Sequence, residues 1–199
     1  MAEAAESDAK ATILAPKVLF YDLRGVINSC GTSMDWLRLR PRIGLCGQKD
    51  AGQCERKEAV ILPGSALFFK KDLWENAGVF DEDFFLIHED AELCLRNRRR
   101  GFKNLLVPEA VVYHKVSRTL SRFPFLTEYY SIRNFLRLAE LQASFFQRVL
   151  TAAGLSFLCF RNLLALPFAS PVKKQQLKGF FEGVAHYRAK KRGSYGGAS

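Results

Sequence analysis

The stretch DEDFFLIHEDAELCLRNRRRGF, residues 81–102, packs six carboxylates into its first twelve residues and then runs into arginines. The chain has a formal net charge of +10, but the charge is uneven: residues 1–80 carry about +1, residues 81–92 carry −6 and residues 93–199 carry +15. Like charges this close repel at roughly 1 kcal/mol per pair even in water, so the acidic cluster needs a partner or a use. Glu89 and Asp90 sit where a helical pattern begins. A helix N-terminus stabilises a carboxylate by about 0.3–1 kcal/mol, less than the roughly 1.36 kcal/mol of one pKa unit. Asp90 is therefore expected to be ionised at neutral pH and able to accept a proton. The same position suits a plain helix cap, for which Asp is among the best residues.

Three further groups could carry chemistry. His114 closes the strand-like run VPEAVVY; it reads as a structural strand-end residue, or as a metal ligand if carboxylates join it. His88 adjoins Glu89, and His186 lies in a basic segment that reads as surface. Asp81-Glu82-Asp83 spells a DxD, the oxygen pair that can hold a divalent cation, but so short an acidic pattern arises easily by chance. The sequence contains no Walker loop, GxGxxG or GxSxG.

The elements that must position these residues are partly legible. Residues 1–10 read as the end of a helix or a frayed start, and KVLFYD, residues 17–22, as a buried strand. Residues 25–57 read as a long loop or a pair of small strands, a length of loop that usually carries function. A strand ending at Pro63-Gly64 is followed by a second over 65–69 and a short helix from Lys71 to Gly78, where glycine supplies the cap. An amphipathic helix is expected from about Asp90 to Arg100, closed by Gly101, then two short strands over 104–114 broken at Pro108. Alternating strands and helices indicate an α/β layer architecture. Beyond residue 126, apolar residues recur at helical spacing on a broad face up to Leu150. A second apolar tract stops before Pro171, and a basic amphipathic segment follows. That segment suits either a membrane surface or a self-packed helical subdomain. The domain reading is 1–122 for the α/β part, 123–192 for the helical region and 193–199 for a flexible tail.

Composition narrows the classes. Seventeen Phe and six Tyr in 199 residues argue against disorder. Five scattered cysteines without a CxxC pair predict reduced thiols rather than a disulfide framework or zinc site. The first twelve residues are small and acidic, unlike a secretory signal. The longest apolar tract, residues 155–170, contains Arg161 and Asn162 and is shorter than the about 20 residues of a span, so no membrane span is expected. The basic surplus indicates either an anionic partner or a solvated face. A nucleic-acid binder is disfavoured, because the aromatics fall on apolar faces rather than between basic residues.

The chain from about Ile13 to Gly193, and residues 65–117 nearly end to end, resembles the acceptor-side half of family-2 glycosyltransferases of the rhamnosyltransferase-like group, a GT-A type fold. The matching elements are GVFDEDFF, EDAELCLR, RRRGFK and VPEAVVYH, with YYSIRNFLRL and LKGFFEGV resembling later segments. This implies an inverting transfer of a sugar from a nucleotide-activated donor to a glycan or lipid-linked hydroxyl, in cell-surface polysaccharide or glycolipid synthesis. By resemblance Asp90 is the general base, Glu89 orients the acceptor, and His114 approaches the donor diphosphate and its Mg²⁺ or Mn²⁺. Gly64 and Ser65 line the donor sugar, and Asp81-Glu82-Asp83 matches the FDExFF segment rather than the metal motif.

The resemblance also implies a nucleotide-binding half with its own DxD, which these residues do not match. The expectation is an incomplete core whose isolated activity and metal binding are weak, with a separate N-terminal half or a second copy as partner. The expected location is cytoplasmic, peripheral at the inner face of the cell membrane. The rival reading is a non-catalytic remnant that binds a membrane or a partner through its helical region.

Overall fold

The computed structural model describes residues 1–71, 73, 80–116 and 120–196. The helix expected over 71–78 falls almost wholly outside these residues. The chain divides into two compact units. The first comprises Met1–Ser33, Pro41–Asp81 and Glu89–Val116; the second comprises Met34–Arg40, Glu82–His88 and residues 117–199. The single boundary expected near residue 122 is thus replaced by an earlier one, and two short excursions leave the α/β part for the helical one. Hydrophobic periodicity cannot reveal such excursions, because each is too short to show a period.

The first unit is a mixed α/β layer, as the alternation of elements predicted. A short helix α1 (Ala2–Ser7) precedes β1 (Ala11–Phe20). Nine of the ten β1 positions are buried, the pattern of a strand covered on both faces. It starts six residues earlier than KVLFYD suggested, because ATILAP is equally apolar. On one edge β1 pairs with β7 (Lys103–His114) in parallel. It also pairs antiparallel with β2 (Ile27–Ser29) and, near its start, with β6 (Phe68–Phe69). β5 (Lys57–Glu58) lies antiparallel on β7. β7 is continuous rather than two strands. Pro108 sits in an irregularity where the register passes from Pro16–Val107 to Lys17–Val111, and such bulges accommodate residues that lack a donor N–H. The parallel pair requires a crossover, and α2 (Glu89–Arg99) forms part of it. A hairpin, β3 (Thr32–Asp35) with β4 (Arg40–Ile43), fills much of the expected loop.

The cysteine expectation is overturned. Cys30 and Cys54 form a disulfide, both nearly fully buried, while Cys46, Cys94 and Cys159 are free thiols. A spacing of 24 residues with no local motif gives no sign of this pairing; the fold alone brings the two together.

The second unit is helical: α3 (Pro124–Gln142), α4 (Phe145–Ala165) and α5 (Pro171–Arg188). The helix expected to run unbroken to residue 150 stops at Gln142. Ser144 accepts a hydrogen bond from the Gln147 N–H, and the Gln147 side chain accepts one from the Ser144 N–H. This reciprocal cap outweighs a periodicity that continues across it. The Arg148 guanidinium then donates to the Ala143 and Glu140 carbonyls at the end of α3. α5 packs on α3 through glycine: a Cβ at Gly179 would lie 2.3 Å from the Phe125 carbonyl oxygen, and one at Gly183 2.7 Å from that of Tyr129. Both pairs advance together along the chain, so the two helices run in the same direction. Phe135, Leu136, Ile132, Phe180 and Val184 form the core with Leu39.

α4 and the turn after it run apolar over Phe145–Phe168, long and apolar enough by length and composition to cross a membrane. The tract seemed too short only because it was counted from residue 155. Nor are residues 193–196 loose. Tyr195 donates its hydroxyl to Glu182, its backbone N–H donates to the Tyr130 hydroxyl, and its ring stacks on His186. His186, expected at the surface, is half-buried and bonds the Tyr129 hydroxyl at 2.9 Å.

Candidate active site

α2 begins at Glu89, so both acidic residues occupy its first turn, and three arginines occupy its last. Each end therefore complements the helix dipole. Asp90 Oδ2 accepts the Gly64 N–H at 2.8 Å, and its Oδ1 accepts the N–H of Ala91 at 2.7 Å. One turn later the buried Cys94 thiol accepts the Leu62 N–H at 3.4 Å. Asp90 and Cys94, four apart on one helix face, thus hold alternate residues of the segment Leu62-Pro63-Gly64, which follows an isolated bridge at Ile61 rather than ending the expected strand. Gly64 permits the approach: a Cβ there would meet Asp90 Cβ and Oδ2 at 3.1 Å.

Deeper along α2 a buried polar network fixes the helix against the sheet. Asn97 Oδ1 accepts the Thr12 hydroxyl at 2.9 Å, and its amide donates to Asn104 Oδ1 at 2.9 Å. The Asn104 amide in turn donates to the Val60 and Cys94 carbonyls, both at 2.9 Å. A satisfied buried network of this kind rigidifies what it joins. It sets α2, and with it Asp90, relative to β1 and β7.

Burial pushes the Asp90 carboxyl above its ordinary range, opposed by the hydrogen bonds from Gly64 and Ala91. A helix N-terminus by itself favours the charged form and a small shift the other way; desolvation outweighs it. Glu89 is raised as well, by burial first and then by the neighbouring Asp90 charge. Its Oε2 is buried with no hydrogen-bond partner among the described residues. Such an atom is costly unless something else fills the role. Beside this pair Gly64 and Ser65 are exposed. A base that holds its proton more tightly than an ordinary carboxylate, an acceptor oxygen without a partner and an open glycine-serine turn can together take the proton of a docked hydroxyl.

The other sequence candidates fall elsewhere. His114 ends β7 with Nδ1 3.3 Å from Asn28 Oδ1. No cluster of three His, Cys, Asp or Glu able to hold a metal occurs among the described residues. These residues do not by themselves supply the set of oxygens that a divalent cation takes. Asp83 pairs with Arg137 and lies 3.9 Å from Arg192, the surroundings of a structural carboxylate. His88 is buried against Phe135 at 5.7 Å between ring centroids. Burial lowers its pKa to about 4, so it stays neutral. Cys94, pushed up to about 12 by burial, is no nucleophile.

One pair was passed over in the sequence. In the second unit the Asn134 amide reaches the carbonyls of Phe84, Leu86 and Ile87 at 2.7, 2.7 and 2.8 Å. The neighbouring Arg133 guanidinium donates to the carbonyls of Asp83, Phe84 and Gly193. They clamp a loop in which Phe85, Ile87 and His88 all have positive φ (55°, 65° and 70°), a conformation that costs a non-glycine residue about 1 kcal/mol or more. The next residue along the chain is Glu89. The RN of YYSIRN was the available signal, since a buried arginine and asparagine side by side require partners.

A family profile described as Glycosyl transferase family group 2 matches residues 6–169. The match covers most of the chain, and the chain belongs to that family of glycosyltransferases. No curated protein matches it.

Proposed function

We propose that this chain carries the acceptor-binding and general-base part of an inverting glycosyltransferase. The enzyme transfers a hexosyl or deoxyhexosyl unit, as in rhamnosyltransferase-like enzymes, from a nucleoside diphosphate to a hydroxyl of a glycan or lipid-linked acceptor. The observation that carries this reading is Asp90: a carboxylate with a raised proton affinity, fixed by the Gly64 N–H beside an exposed turn. A general base works best when its pKa approaches the operating pH, and burial moves Asp90 in that direction. Glu89 Oε2 accepts a hydrogen bond from the acceptor and orients it. Gly64 and Ser65 face the donor sugar, and His114 is assigned to the donor diphosphate. Contacts to the nucleotide, and to the Mg²⁺ or Mn²⁺ that would neutralise the leaving diphosphate, come from a segment other than these residues. The enzyme works at the cytoplasmic face of a membrane, where its acceptors are anchored.

Asp90→Asn tests the reading. Asparagine caps helices about as well as aspartate and keeps an oxygen for the Gly64 N–H. With the nucleotide-binding segment supplied, turnover should fall roughly 10²–10⁴-fold with the fold intact. A loss below about tenfold would leave Asp90 as a cap.

A further inference from the structure

We propose that α4 is an interfacial helix that lies flat in one leaflet of an anionic membrane and docks the helical unit to it. This deepens the membrane part of the reading above. The ground is an inverted distribution of polarity. The residues of α4 that the protein buries are Thr151, Gly154 and Asn162, whereas Phe146, Phe157, Phe160 and Leu164 are 60–68% exposed. A water-facing helix shows the opposite arrangement. Phe168, in the turn after α4, is 90% exposed. Gly154 permits the inward approach: a Cβ there would lie 1.9 Å from the Leu37 carbonyl oxygen.

Two features choose a flat helix in lipid over the other occupants. Thr151, Gly154 and Asn162 span three turns, and the partly buried Leu155 and Leu158 between them pack on the unit's core. The helix therefore lies along its own unit for most of its length. A spanning orientation would carry the attached α5 toward hydrocarbon, and residues 171–192 hold seven Lys or Arg against one Glu. Charged groups at the bilayer centre are strongly disfavoured. The same basic surplus repels a second copy but complements anionic headgroups, each cation near such a surface contributing attraction. An apolar helix face followed by a basic segment is what sinks about 5–10 Å into the headgroup boundary.

The test is flotation of the full chain with vesicles of phosphatidylcholine alone or mixed with phosphatidylglycerol. The wild type should float with the anionic vesicles, less so at high salt. Phe157→Gln with Phe160→Gln, both exposed and so without effect on the circular dichroism spectrum, should lower partitioning at least about tenfold. Lys174→Gln with Lys190→Gln should weaken binding to anionic vesicles alone. A tryptophan placed as Phe160→Trp should be quenched by lipids brominated near the headgroup end of the chains more than by those brominated at the bilayer centre. Dimerisation without flotation, flotation unaffected by the Phe157/Phe160 pair, or strongest quenching at the centre would each overturn the inference. None of these readouts uses sugar transfer. Loss of activity in Asp90→Asn with no flotation leaves the enzyme reading standing and sinks this one, and the reverse result does the opposite.

Discussion

Asp90 and Gly64 touch so closely that each constrains the other. Gly64→Ala would press a methyl group against the Asp90 carboxylate at 3.1 Å, tighter than an ordinary van der Waals contact, and the carboxylate must give by tenths of an ångström. With Asp90 as the proposed base, a misplacement of about 1 Å can cost 10²-fold, and the expected result is a loss of roughly tenfold in kcat with little change in melting temperature. Both acidic residues also give a pH signature. Their folded pKa values lie above the ordinary 3.8 of Asp and 4.5 of Glu. The folded chain therefore holds protons that the unfolded chain has released, and the stability this contributes is present at low pH and lost as pH rises through the folded values. Asp90→Asn removes the charge that burial penalises. It should melt higher than the wild type at neutral pH, with the gap closing as pH falls toward 4. A gap that widens toward low pH would contradict the direction of the shift.

The elements around the site are held by small residues and by buried amides. Asn134→Ala would strip a buried donor from three carbonyls at the left-handed loop 82–88. An unsatisfied buried polar group costs about 1–3 kcal/mol, so a loss of roughly 3 kcal/mol in urea unfolding is expected. Asn134→Asp should be at least as damaging, since it sets an acceptor against acceptors. If instead Asn134→Ala unfolds within about 0.5 kcal/mol of the wild type, the range of an ordinary surface substitution, the clamp contributes nothing. Gly179→Ala acts on the α3–α5 contact, where a methyl group would sit 2.3 Å from the Phe125 carbonyl oxygen. Backbone on both sides leaves no side chain to yield, so a cost of about 1–3 kcal/mol or more is expected for this overpacking. The helices themselves begin for local reasons: Ser144 caps α4 and Ser170 caps α5.

For the whole molecule, the disulfide and the charge distribution matter most. Cys30–Cys54 closes 24 residues of chain, a loop for which a cross-link contributes about 3 kcal/mol through the unfolded state. Titration of the denatured, unreduced chain should find three free thiols among the five cysteines, and reduction should lower the unfolding free energy by about 2–4 kcal/mol. Five free thiols would show that the pair is kept reduced, as a cytosolic compartment keeps thiols. A cytoplasmic location was expected together with reduced thiols, and the disulfide removes that support. The acidic cluster of residues 81–92 is divided in use. Asp83 pairs with arginines, while Glu89 and Asp90 stand at the start of α2.

The amino-acid sequence by itself determined α2 and the two carboxylates at its head, because an acidic first turn, an apolar period and a closing Gly101 all act within a dozen residues. It determined the broad buried face of α3 for the same reason. The serine four residues before Arg148 was equally local, and the longer apolar period across it concealed the break. What depends on distant residues was decided by the tertiary structure. The direction of the Asp90 shift follows from burial in the folded chain, which outweighs the opposing hydrogen bond from Gly64, 26 residues away. The disulfide follows from how the loop after β2 returns. Composition showed that α4 was apolar, but only packing shows that its small and polar residues face inward and its phenylalanines outward. Covalent neighbours set helix starts and caps; desolvation, cross-links and the choice of a buried face are properties of the surroundings, and those exist only once the chain has folded.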